Sequence, residues 1–164
     1  MDILRGHDVA NDQDDFEYPG DAAIDRPLAV GYEERRMQVR AYNYWASLLG
    51  DRALPLIEDL SPDQMDDFGP YSVLLDFTAG IENPAIVYLG TALREECEIE
   101  GPIGHIADVP ARSLLSRLTD HYLQIIANRA PIGFEAEFLS DRGVNTLYRG
   151  ILMPLSTDGE SIDF

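Results

Sequence analysis

Few side chains in this sequence combine the residue type and the neighbours that chemistry needs. Cys97 is the first candidate, a lone thiol set among Glu95, Glu96, Glu98 and Glu100. Four nearby carboxylates disfavour the thiolate, so they raise the thiol pKa and reduce its reactivity. Cys97 therefore reads as a structural thiol. His121 is the second candidate. It falls in an apolar-periodic stretch, but about 80° from the centre of the apolar face on a wheel of 100° steps. That position suits a histidine at the edge of a core. His105 lies in a glycine-rich bend and His7 in the acidic N-terminal stretch. Asp12, Asp14 and Asp15 have the look of a calcium loop. Such a loop needs an oxygen ligand at its fifth position and glycine at its sixth, where this chain has Phe16 and Glu17. No Cys/His group has metal spacing, and Ser113, Ser116 and His121 lack a third member for a triad. The motifs GxSxG, HExxH, GxGxxG and the P-loop are absent. The residues thus point away from an enzyme and from a bound metal.

Composition narrows the partners. The chain has 164 residues and a formal net charge of -18, and its twelve cationic side chains are all arginine. Nucleic acid and anionic membrane both require a basic footprint, so both are disfavoured; a basic protein partner is favoured. A single cysteine forms no intrachain disulfide, and no stretch approaches the length of a membrane span. The expectation is a cytoplasmic protein.

The elements that must position these residues follow from periodicity. Residues 1–32 are acidic, with scattered glycine and proline, and read as a tail or linker. Residues 33–70 read as an N-terminal helical cap. Within it, Met37, Ala41, Tyr44, Trp45 and Leu48 share one face of a helix over 33–49. A short second helix begins at Ser61, with Pro62 at its first position and Gln64 closing a capping box. Residues 71–164 read as the core. Two short strands, Tyr71 to Phe77 and Ala85 to Gly90, are followed by helical turns over 91–110. A long helix over 111–129 places Leu114, Leu115, Leu118, Tyr122, Ile125 and Ile126 on one face, and Pro131 stops it. Strand 132–139 alternates, with Phe134, Ala136 and Phe138 on one side and Glu135 and Glu137 on the other. Gly143 serves the next turn, a strand runs from Val144 to Leu155, and Asp158-Gly159 opens a further hairpin. The order is not a βαβ alternation, so the expected class is α+β: an antiparallel five-stranded sheet with helices on one face.

Several local patterns resemble the PAS family, and within it a group of small bacterial single-domain proteins. They are WASLLGDRALPLIEDLSP from Trp45, YLGTAL from Tyr88, EIEGPIGHIADV before the long helix, and MPLSTDGESIDF at the end. The resemblance covers about residues 37–164. It implies a PAS-like sheet whose final strand is cut short at Phe164. It also implies a sensory role in bacterial signal transduction, exercised through a protein signalling partner and a homodimer. Flavin sensors of that family need an arginine and a glutamine around the cysteine, and both are missing at Cys97. Haem sensors take a histidine from the long helix, and the offset of His121 argues against haem. No cofactor is expected.

The fold so implied places Tyr88, Leu118, Tyr122, Ile125, Phe134 and Phe138 around a space between sheet and long helix. A small apolar ligand suits that space, as does filling by the chain's own side chains. Arg149 has two placements. It can face this space and hold a carboxylate or phosphate, or it can pair with Glu135 or Glu137 across the hairpin, the preferred reading. The stripe of Met37, Tyr44, Trp45 and Leu48 packs either on the domain itself or against a second copy. Two other classes stay open. One is an enzyme or carrier on a cone-shaped α+β barrel, which would need Glu135 or Glu137 inside. The other is an acidic interaction module.

Overall fold

The computed structural model describes residues 36–139 and 143–164. The acidic stretch 1–32, with His7 and Asp12, Asp14 and Asp15, lies outside the described residues, as do positions 140–142 of the predicted turn. Helix α1 spans Met37–Ser47. It buries Ala41 and Trp45 of the apolar stripe and also Val39 outside it, and the Trp45 indole Nε1–H donates to the Pro154 carbonyl at 2.7 Å. The chain then crosses short 3-10 turns. One of them, Pro62–Gln64, replaces the predicted second helix, and Ser61 makes no side-chain cap bond there.

Strands β1 (Val73–Asp76) and β2 (Ala85–Leu89) form an antiparallel hairpin whose register shifts between Leu74 and Leu75. Helix α2 (Thr91–Glu96) follows directly. The bend before the next helix is held by Asp108, whose carboxylate accepts the N–H groups of Gly104 (3.2 Å) and His105 (2.9 Å). Strands β3 (Ile132–Leu139) and β4 (Asn145–Leu152) form a second, regular antiparallel hairpin.

The predicted long helix is two helices, α3 (Leu114–Thr119) and α4 (Tyr122–Asn128). Ser113 caps α3 by accepting the Ser116 N–H at 3.1 Å. The interruption falls after Thr119, whose buried hydroxyl donates back to the Leu115 carbonyl at 2.9 Å. Such back-bonding competes with the helical ladder and bends it. α4 ends at Arg129, a left-handed residue two positions before Pro131. The core lies where these elements meet the first hairpin. Leu75, Phe77 and Ile86 pack with Tyr122 and Ile126. Leu93, Ile99 and Leu115 pack with Cys97, Leu114 and Leu118.

The expected five-stranded sheet with helices on one face is not formed. The described residues hold two separate two-stranded sheets, β1-β2 and β3-β4. The physical reason lies in the strand pairing. No strand among the described residues lies between β1 and β4. Asp163 and Phe164 bond to both sides: the Asp163 carbonyl accepts the Phe77 N–H at 2.8 Å, and Phe164 exchanges both backbone hydrogen bonds with Leu155 at 3.0 and 3.2 Å. Each hairpin therefore keeps a single strand partner along its length, and the two are joined by side-chain packing and this short C-terminal contact.

Candidate functional site

A cavity of about 910 Å³ opens between the hairpins and the helices. Its lining comes from every layer. α1 supplies Met37, Ala41, Tyr44 and Trp45; the β1-β2 hairpin supplies Val73, Leu74, Leu75 and Tyr88; α3 and α4 supply Leu118, Tyr122 and Ile125; the β3-β4 hairpin supplies Phe134, Tyr148, Arg149, Ile151 and Leu152. Sheet alternation explains the last set. Glu135 and Glu137 on β3 are exposed, whereas Phe134 is partly covered and Phe138 is buried.

Several hydroxyls fix the walls. The Tyr88 hydroxyl donates to the Gly69 carbonyl at 2.9 Å. The Tyr122 hydroxyl donates to the Ile81 carbonyl at 2.8 Å, and its ring stacks on Phe77 with centroids 5.6 Å apart. The Tyr44 hydroxyl accepts the Ser61 N–H at 2.8 Å. All three tyrosines line the cavity, and each hydroxyl is hydrogen-bonded in the wall. Burial raises the Tyr148 hydroxyl above the usual tyrosine range, with the neighbouring Arg117 cation opposing the rise.

Six of the seven residues picked from the sequence as lining candidates meet at this cavity: Tyr88, Leu118, Tyr122, Ile125, Phe134 and Arg149. Phe138 is buried away from the lining. The Arg149 side chain is exposed and its Nε–H donates to Glu135 at 2.6 Å, its direct cross-strand neighbour. The guanidinium is thus engaged at the surface of the hairpin, the second of its two placements. Of the α1 stripe, Met37, Tyr44 and Trp45 line the cavity, and Leu48 is partly covered outside it. Trp45 is 7% exposed, so its ring is taken up within the chain.

Sequence reasoning missed the wall formed by residues 57–72. Ile57, Leu60, Met65 and Phe68 close one side of the cavity. They sit in or beside short 3-10 turns, where neither the helical nor the strand period marks an inward face. Their apolar type, in an otherwise acidic loop, was the signal available.

The other chemical candidates lie elsewhere. Burial pushes the Cys97 thiol up, opposed by the Leu115 N–H, which donates to its sulfur at 3.3 Å. His121 is partly covered, and its ring lies 5.0 Å from that of Phe134, outside the lining. Among the described residues, no three His, Cys, Asp or Glu side chains gather as metal ligands, and no helix is long and apolar enough to cross a membrane. The MPLSTDGES segment forms a tight hydrogen-bonded loop. The buried Ser156 hydroxyl donates to Asp158 at 2.8 Å and accepts the N–H groups of Gly159 and Asp158. The N–H groups of Ser161 and Glu160, and the Ser156 hydroxyl, hold the Asp158 carboxyl well below the ordinary carboxylate range.

No family model, curated protein or solved structure matches the chain. The function must therefore be argued from the cavity.

Proposed function

We propose that the chain is a non-enzymatic regulatory module that takes a small apolar molecule or a segment of a partner protein into this cavity. Occupancy shifts one hairpin against the other, and a partner protein reads the shift. The cavity itself carries the reading. Its walls are mostly apolar, it has the size of a small-molecule site, and one occupant would touch α1, both hairpins and the α3-α4 pair together. Two hairpins without a shared ladder can move relative to each other more readily than strands of one sheet, which supports a conformational relay. The local patterns that resemble the PAS family point to the same sensory role in bacterial signal transduction, without the sheet expected of it.

The reading as an enzyme on a cone-shaped barrel is less well supported. It needs an acid inside the cavity, and Glu135 and Glu137 are exposed. Asp66, the acid among the lining residues, is exposed as well.

The test is native mass spectrometry of the protein as purified from cells, together with titration by a neutral apolar fluorescent dye. Extra mass released on denaturation, or saturable dye binding displaced by apolar competitors, is the expected result. A protein that carries nothing and takes up no dye would overturn the proposal.

A further inference from the structure

Rings and thioethers concentrate at this cavity. Every aromatic residue among those described lines it except Tyr42 and Phe138, and so does every described methionine, Met37, Met65 and Met153. The rings stand in pairs on different sides of the space. Tyr44 of α1 and Phe68 beside the 3-10 turns lie with centroids 5.8 Å apart. Phe77, next after β1, and Tyr122 of α4 stack at 5.6 Å. Phe134 and Tyr148 of the second hairpin meet edge to face at 6.0 Å. Rings at such separations attract beyond the area they bury, because the positive edge of one meets the negative face of the other. A guest ring entering among them can make further contacts of this kind, whereas a saturated guest of the same size gains burial alone. The methionines widen that difference, since a thioether is polarizable, adapts its shape and makes favourable contacts with a ring.

The charge of the lining argues for a neutral guest. Arg149 is its one cationic side chain, and Glu135 already accepts its Nε–H at 2.6 Å. An anionic guest would therefore meet no free cation on the lining, and a chain of net charge -18 repels it at a distance. Asp66 is the one acidic side chain of the lining, and it is exposed. A cationic guest would have to leave water for apolar walls with no buried carboxylate to meet it.

We infer that the cavity takes a neutral aromatic compound of two or more fused rings in preference to an aliphatic or a charged one. The inference rests on the cavity being a small-molecule site, and it specifies the chemical class of the occupant. The volume of about 910 Å³ has room for several rings.

The test uses the whole chain at pH 7 and three ligands built on one two-ring skeleton: 2-naphthol, its fully hydrogenated counterpart decahydro-2-naphthol, and 2-naphthoate. Binding is read by calorimetry and by displacement of the neutral apolar dye. Hydrogenation keeps the carbons and the hydroxyl and adds only hydrogen, so burial alone would leave the first two equal or favour the saturated one. The expected result is that 2-naphthol displaces the dye and binds at least roughly tenfold tighter than decahydro-2-naphthol, the scale of one or two ring contacts. It should also bind at least roughly tenfold tighter than 2-naphthoate, whose charge would lose its hydration. Dye binding with equal or tighter binding of the saturated compound, or with no binding of 2-naphthol, would overturn the aromatic preference and leave the cavity as a site for apolar molecules in general. Binding of 2-naphthoate as tight as that of 2-naphthol would overturn the neutral guest. Failure of the dye and of all three ligands would overturn the inference and the cavity reading together.

Discussion

Replacing Gly90 by alanine probes the wall that Tyr88 and the Gly69-Pro70 turn build for the cavity. A Cβ at Gly90 would lie 2.2 Å from the Pro70 carbonyl oxygen and 2.4 Å from that of Gly69. Both are backbone atoms and cannot swing away as a side-chain end would. Ordinary contact begins at 3.4 Å, so the turn must retreat by about 1 Å. Two bonds cross the gap: the Gly90 N–H donates to Ser72 at 2.8 Å, and the Tyr88 hydroxyl donates to Gly69 at 2.9 Å. Overpacking of this kind costs about 1–3 kcal/mol, and losing one such bond adds about 1 kcal/mol. The expected loss is therefore about 2–4 kcal/mol, a fall in Tm of roughly 4–16 °C for a chain of this length. Urea and thermal unfolding followed by circular dichroism measure it. Gly133→Ala is the control, because a Cβ there meets nothing within 4 Å; it should be neutral or gain up to about 1 kcal/mol. Gly90→Ala within about 0.5 kcal/mol of the parent would refute the reasoning.

Three further outcomes are expected. Ser156→Ala should cost about 1–3 kcal/mol in urea unfolding, because it strips the acceptor from the N–H groups of Gly159 and Asp158; an unchanged midpoint would contradict the loop as described. The carboxyl of Asp158 is held below its ordinary range in the folded state, so its contribution is present above the unfolded value of about 3.9 and is lost as pH falls beneath it. Asp158→Asn should therefore lose stability at pH 6, and its gap to the parent should narrow by pH 3; a gap independent of pH would refute this. Cys97, half-buried against the start of α3 with its thiol pushed up, should react with iodoacetamide at pH 7.5 more slowly than free cysteine and should accelerate in urea. Equal rates in native and unfolded protein would place the thiol in solvent.

The sequence carried most of the elements and little of their arrangement. β3 was legible because Phe134 and Phe138 alternate with two glutamates across a half-buried strand. α1 was legible because its apolar stripe repeats at helical spacing, although of that stripe only Ala41 and Trp45 are buried and Val39, outside it, is buried too. The break between α3 and α4 was hidden, because Leu118, Tyr122 and Ile125 keep helical spacing across it. At the break the Thr119 hydroxyl turns onto the backbone, a bond that bends a helix and leaves no mark on the apolar period. Sheet order was hidden for a deeper reason. Strand pairing is non-local, and the period of β1 or β4 says which side chains point inward, not which edge meets which. The lining candidates were legible as apolar residues on inward faces, whereas Ile57, Met65 and Phe68 fill their wall from turns that have no period.

The most direct test of the central claim is dye titration of the parent chain against Ala41→Phe. Ala41 lies on α1, is 5% exposed and lines the cavity, so a phenyl ring there occupies the space proposed for the ligand. Far-ultraviolet circular dichroism confirms that the variant is folded. The account predicts saturable binding of a neutral apolar dye to the parent with quenching of Trp45, and at least roughly tenfold weaker binding to the folded variant, the scale set by losing a few buried methylene contacts. Binding of equal strength to both proteins would contradict the claim that this cavity is the site.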